Sequence, residues 1–247
     1  MALGWRLLAA VLLAAIMVFV LGPLRHGTPG APPPAAGAPP LPLRGLAIVL
    51  DPGHGGIDSG AVAAGVREKD INLAVALAVA RRLSDLGARV VMTRRTDVAP
   101  VPRGQQRYLR DRRRRAEMAR ESGAQVFVSI HANHVGSPGP RGPLVLWNPA
   151  GSPGGRALAA AIRGSLQSAL RVPVRLARQG VQVLQWSGVP AALIETGFLS
   201  NPEERAALQR PAYQASLGGA IAAGVRAYWI SQRAQQTLLR GLTWSGA

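Results

Sequence analysis

The chain has 247 residues, no cysteine, 29 Lys and Arg against 12 Asp and Glu, and a formal charge of +17. That length holds one ordinary domain with extensions, and the lack of cysteine excludes a disulfide framework and any thiolate metal site, so a metal must rest on His, Asp and Glu. The charge favours an anionic partner such as nucleic acid, anionic lipid or an acidic cell-wall polymer, and carries no information about fold.

Residues 7–24, LLAAVLLAAIMVFVLGPL, carry no charge over 18 residues. This is near the lower limit for a helix crossing about 30 Å of hydrocarbon, so residues 1–26 read as a signal anchor or a signal peptide. A small-x-small site, Ala36-Gly37-Ala38, lies well beyond the apolar stretch and is followed by Pro39, so retention as an anchor is expected. Arg6 precedes the stretch and Arg25 and His26 follow it, which leaves the positive-inside rule undecided. The remainder is expected outside the cytoplasm. Residues 29–42 are half proline, and within a linker spanning 27–44 they read as a semi-rigid polyproline spacer that holds a domain away from a membrane.

From 45 to 230 the pattern alternates. Short β-branched runs at 46–51, 88–93, 125–132, 143–148, 181–186 and 190–196 predict six strands, and helical patterns cover 69–86, 104–122, 154–170 and 211–230. Strands such as VFVSI are apolar nearly throughout, as expected for a sheet buried on both faces. The fold class is therefore α/β: one domain with a mostly parallel or mixed six-stranded sheet covered by helices on both faces. The tail 231–247 has no strong reading; a helix followed by disorder is the expectation.

Ligand sites in such sheets gather at the carboxyl ends of strands, and three predicted strands end in unusual polar residues. The first delivers Asp51 and His54 within DPGHGG, the third delivers His131, and the last delivers Glu195 within ALIETGF. A carboxylate in that apolar setting has to be paired or functional. His131 alone fits a satisfied core histidine as well as a ligand, whereas His54 on a glycine loop favours a site. Glu68 opens an amphipathic helix, where an acid is stabilised by the helix dipole, and by itself needs no ligand role. Two histidines and a carboxylate are nonetheless a known donor set for catalytic zinc.

Four ordered segments, IVLDPGHGGIDSGA (48–61), EKDINLAVALA (68–78), VFVSIHANH (126–134) and ALIETGFLSNPEE (192–204), resemble the zinc-dependent N-acetylmuramoyl-L-alanine amidases of the bacterial cell wall, amidase type 3. The resemblance spans about residues 46–229 and implies one Zn2+ on His54, Glu68 and His131, with Glu195 as catalytic base and acid. It implies hydrolysis of the amide between the lactyl group of muramic acid and L-alanine of the stem peptide. Asp51 and Asn72 are candidate partners that orient the histidines. His134 is expected to be a surface residue, because a fourth protein ligand would close the site. The short LVLWN strand, the helical pattern near Gly154 and the basic stretch before the last strand resemble the germination-specific, spore-cortex branch.

The chain departs from the family pattern between Asp97 and Leu109, where VAPVPRGQQRY is about seven residues longer than usual. Glu117 also stands where the family has asparagine after Ala116. No segment corresponds to the autoinhibitory helix of division-associated members, so an open site is expected. The basic run Arg103–Arg115 reads as a solvated helix face or as a contact for anionic wall polymer or lipid. It lacks the aromatic pattern of a nucleic-acid binder, so nucleic acid is not expected as a partner. Peptidoglycan is the expected partner of a monomer, with the membrane reached through the N-terminal helix. The rival readings are a wall-binding module without catalysis and a membrane-tethered nucleic-acid binder.

Overall fold

The computed structural model describes residues 41–101 and 107–244. The expected anchor, most of the spacer, Arg103 and the last three residues lie outside these, and among the described residues no helix is long and apolar enough to cross a membrane.

Six runs pair into one sheet: β1 (Ala47–Pro52), β4 (Arg89–Met92), β5 (Val126–Asn133), β6 (Leu144–Trp147), β7 (Arg175–Arg178) and β8 (Ala191–Phe198). Their order is β4-β1-β5-β8-β6-β7. All neighbours are parallel except β6, which pairs antiparallel with β8 through Val145 opposite Ile194. A two-residue-per-strand hairpin, β2 (Val62–Ala63) and β3 (Val66–Arg67), forms a separate ribbon.

Strand alternation sends side chains to two cores. On one face Ile48, Leu50, Val128, Ile130 and Ile194 pack under α1 (Glu68–Asp85), α3 (Gly155–Leu170) and α6 (Pro211–Trp244). These helices contribute Val75, Val79, Ile162, Leu166, Ile221 and Val225. On the other face Val49, Phe127, Leu146 and Leu193 meet α2 (Arg107–Glu121) and α4 (Gln182–Trp186) through Ala116, Ala119, Val183 and Leu184. Helices thus cover both faces of a six-stranded, mostly parallel sheet. A short helix α5 (Pro202–Leu208) follows β8, capped by Asn201, whose side chain accepts from the amides of Glu203 and Glu204.

One sequence expectation is corrected, and two segments reach further than their patterns. Residues 181–186 do not form a strand: 182–186 are helical, because Val183 and Leu184 are buried side by side, which a strand's alternation forbids. The sixth strand is Arg175–Arg178 instead, an edge strand whose two arginines face outward. The helical pattern of 211–230 continues into the tail, with α6 running to Trp244 past the last residues it buries and leaving Leu238 and Leu239 exposed. Leu43, within the expected linker, is fully buried and its amide donates to the Leu86 carbonyl at 2.9 Å.

Candidate active site

The chain leaves β1 into a glycine loop that returns through the β2–β3 hairpin to the start of α1, so His54 and Glu68 are brought together by one local excursion. The Gly53 amide donates to the Ile130 carbonyl at 2.9 Å, fixing the loop against β5. A Cβ on Gly53 would stand 2.2 Å from Cε1 of His131, so only glycine lets that imidazole lie on the loop. At Gly60, with φ +63°, a Cβ would stand 2.6 Å from Glu68 Oε2 and 2.7 Å from His54 Cδ2. His54 itself sits at φ 61°, a left-handed conformation that non-glycine residues adopt at a cost and that clusters at functional sites.

His54, Glu68 and His131 each offer one donor atom, all within 4.8 Å of one another. Glu68 Oε1 is 3.2 Å from His54 Nε2 and 2.9 Å from His131 Nδ1, and Glu68 Oε2 accepts from the Ala61 amide at 3.0 Å. The other nitrogen of His54, Nδ1, pairs with Asp58 Oδ2 at 2.9 Å. Burial pushes the His54 imidazole down, yet the hydrogen bonds and charges of Asp58 and Glu68 outweigh it and raise it to about 9. Burial likewise pushes Glu68 up, but the two imidazoles hold it well below the usual carboxylate range. The cluster therefore favours positive charge at its centre, and its donor types suit a divalent ion of intermediate softness. His134 is exposed and stands outside the group.

Glu195 reaches the same place from β8, where it pairs in register with His131. By alternation Asp51, His131 and Glu195 stand on the α2/α4 face of the sheet, beyond Val49, Phe127 and Leu193. Glu195 Oε2 is buried with no hydrogen-bond partner among the described residues. Burial raises its carboxyl above the ordinary value, with His131 and His54 opposing and Glu68 adding to the rise. A basic, under-coordinated carboxylate oxygen beside a three-donor group can accept a proton from a bound molecule.

Four side chains clamp the carbonyls of the glycine loop. Arg94 donates to Pro52 and Gly53 at 2.9 and 3.0 Å, and Arg115 donates to Pro52 and His54 at 2.9 and 2.8 Å. Lys69 Nζ reaches the Gly56 carbonyl and Asp97, both at 2.6 Å, and Asn72 Nδ2 donates to the Gly53 carbonyl and to Glu68 Oε1, both at 3.2 Å. Asp51 is buried and accepts from Thr93, Arg115 and Ser129, each at 2.7 Å. Burial alone would raise its carboxyl, but the Arg115 charge and these hydrogen bonds lower it.

Asp51 and Asn72, expected beside the histidines, bond neither imidazole, and Asn72 instead reaches the donor group through Glu68. Asp51 holds Arg115, which holds the loop; Asn72 holds Glu68. The orienting partner of His54 is Asp58, absent from the sequence-derived candidates although it is the acid nearest to that histidine along the chain apart from Asp51. Thr93, Arg94 and Asp97 all acquire roles, with Thr93 on Asp51, Arg94 on the loop and Asp97 on Lys69. The basic run is not uniform either. Arg115 is 3% exposed and spent on Asp51, Asp111 and the loop, so it is withdrawn from the expected anionic contact surface. Glu117 lies 3.9 Å from Arg114.

A cleft of about 280 Å³ opens beside the group. His54 and His131 border it, with Tyr108, Asp111 and Arg112 from α2 and with Val181, Val183 and Leu193.

Comparison with known proteins agrees with this geometry. The N-acetylmuramoyl-L-alanine amidase family matches residues 48–227. A germination-specific N-acetylmuramoyl-L-alanine amidase of Bacillus subtilis is 37% identical over 204 residues, 78% of this chain and 83% of that protein. The CwlD amidase of Clostridioides difficile, solved in complex with the GerS lipoprotein, superposes with a TM-score of 0.69 at 30% identity, over 75% of this chain and 99% of that one. The amidase AmiC2 of Nostoc punctiforme gives 0.64 at 33% identity, over 74% and 97%. The family match spans β1, α1, β5 and β8, the four elements that carry the clustered residues, and the chain belongs to the N-acetylmuramoyl-L-alanine amidase family.

Proposed function

We propose that this chain hydrolyses the amide joining the lactyl group of N-acetylmuramic acid to L-alanine of the peptidoglycan stem, using one Zn2+ held by His54, Glu68 and His131. The observation that carries the reading is the convergence of these three donors, from separate stretches of chain, beside the partnerless buried oxygen of Glu195. When bound, the ion would supply Lewis-acid polarisation of the amide carbonyl and lower the pKa of the attacking water toward about 7.

Glu195 takes a proton from that water and returns it to the departing amine of L-alanine. Its buried setting makes the carboxylate a stronger base than an exposed glutamate and the resulting acid stable enough to hold the proton until the amine leaves. Asp58 fixes the His54 ring by accepting at Nδ1, which leaves Nε2 as the donor. The clamped loop keeps both in place without reorganisation.

Action outside the cytoplasm belongs to this reading, with the apolar residues 7–24 as membrane anchor. The germination-specific relative supports a role in maturation of spore cortex. The test is digestion of intact sacculi by the full-length protein, with and without a chelator. New amino-terminal alanine and free muramic acid lactyl ends, abolished by chelator and restored by Zn2+, are expected; cleavage within the peptide would replace this reading with a peptidase.

A further inference from the structure

We propose that Arg112 determines substrate specificity by binding a carboxylate carried on the stem peptide beyond the scissile L-alanine. This rests on the amidase reading above and assigns a use to the α2 side of the cleft.

The arginines of α2 are differently occupied. The Arg113 guanidinium lies over the Trp186 ring at 5.6 Å, Arg114 pairs with Glu121 at 2.5 Å, and Arg115 is buried on Asp51 and Asp111. Arg112 is exposed, borders the cleft together with His54 and His131, and has no acidic partner among the described residues. The acids bordering the same cleft are already engaged, Asp51 and Asp111 by Arg115 and Asp58 by His54. Among the described residues the cleft therefore presents one guanidinium with no protein anion to neutralise it, beside His54 and His131.

A second feature points to a peptide. Asp111 borders the cleft with Oδ2 engaged by Arg115, but its Oδ1 is buried and without a hydrogen-bond partner among the described residues. A buried acceptor of this kind is costly unless something donates to it, and a peptide N–H does. The apolar side chains of Val181, Val183 and Leu193 match the methyl of L-alanine. Guanidinium, acceptor oxygen and small apolar surface together fit an alanyl residue followed by an acidic one. In stem peptides the residue after L-alanine carries an α-carboxyl that is free in some walls and amidated in others, so Arg112 distinguishes the two. A guanidinium meets a carboxylate in a bidentate, charge-assisted pair that a neutral carboxamide does not reproduce.

The experiment compares two purified muropeptides that differ only in carboxylate against carboxamide at that residue, using the full-length protein loaded with Zn2+. The wild type is expected to favour the carboxylate about ten-fold or more in kcat/KM, with the difference in KM. In Arg112→Gln the ratio is expected to fall to about one, and in Arg112→Lys to lie between. Because each variant is read as a ratio of two substrates, a loss of active protein cancels. Equal turnover of both peptides by the wild type, or a ratio unchanged in Arg112→Gln, overturns the subsite alone. Release of amino-terminal alanine from neither peptide overturns the amidase reading and this inference with it.

Discussion

His131 and Glu195 face each other in register on adjacent parallel strands, so the imidazole that offers a donor atom and the carboxylate with a partnerless oxygen are held at a separation set by backbone pairing. Strand ladders are stiff, and the two groups need no loop movement to meet a substrate. The consequences can be measured.

Replacing Glu195 by Gln keeps the shape and removes the proposed base. Metal content is expected to stay near one ion per chain while kcat drops about 10²–10⁴-fold, as measured by metal analysis beside release of amino-terminal alanine. Because burial raises this carboxyl above its ordinary value of 4.5, the acid limb of kcat/KM should lie above that pH in the wild type and vanish from the residual rate of the variant. An unchanged acid limb in Glu195→Gln would assign the base to another group.

Asp58→Asn tests the orientation of His54. The amide can present its NH2 to Nδ1 and so favour the wrong tautomer, and Zn2+ affinity is expected to fall about 10–100-fold in a competition titration with a chromophoric chelator. An affinity equal to that of the wild type would make the 2.9 Å contact incidental.

Gly53→Ala places a methyl where the His131 ring lies, 2.2 Å from Cε1. The ring must move. Zn2+ binding and turnover are both expected to be lost, with the melting temperature of the metal-free protein changing less than the affinity does, since the collision is at the rim of the sheet. Retention of full zinc affinity would show that the loop gives way instead.

The Asp51–Arg115 pair carries a pH dependence of stability. The folded-state carboxyl of Asp51 is lowered, so its contribution is complete above the unfolded value of about 3.9 and is lost as pH falls through the lower folded value. Denaturant midpoints should therefore fall as the pH drops below about 4, less so in Asp51→Asn. Removing one partner, as in Arg115→Ala, leaves a buried carboxylate and should destabilise by about 3–5 kcal/mol. A loss under about 1 kcal/mol would mean that water replaces the guanidinium freely.

Much of this site is legible without the fold, because its residues are chemically out of place where they stand. Glu195 among Ala, Leu and Ile, and His54 among glycines, attract notice in any apolar pattern. Relationships between distant segments are not legible in that way. Nothing local in DRRRRAEMAR distinguishes Arg115 from Arg112, yet one is buried on the glycine loop and the other lies beside the cleft. The strand at Arg175–Arg178 is hidden by its charge, since an edge strand tolerates arginine at both ends, and the apolar VQVLQW imitates a strand in its place. The hairpin before α1 has strands of only two residues, too short to show a period, although its Ala64-Gly65 turn delivers Glu68.

Helix α2 is held by buried Ala116 and Ala119 and by Arg113 and Arg120 on Trp186, and its buried Arg115 guanidinium also grips the main chain around His54. Detachment of the helix and loosening of the histidine are thereby one event. Loading the protein with a divalent ion should accordingly slow amide hydrogen exchange along 110–119, a stretch that supplies no donor atom itself, and a ligand that peels this helix away would act as an inhibitor by releasing the metal.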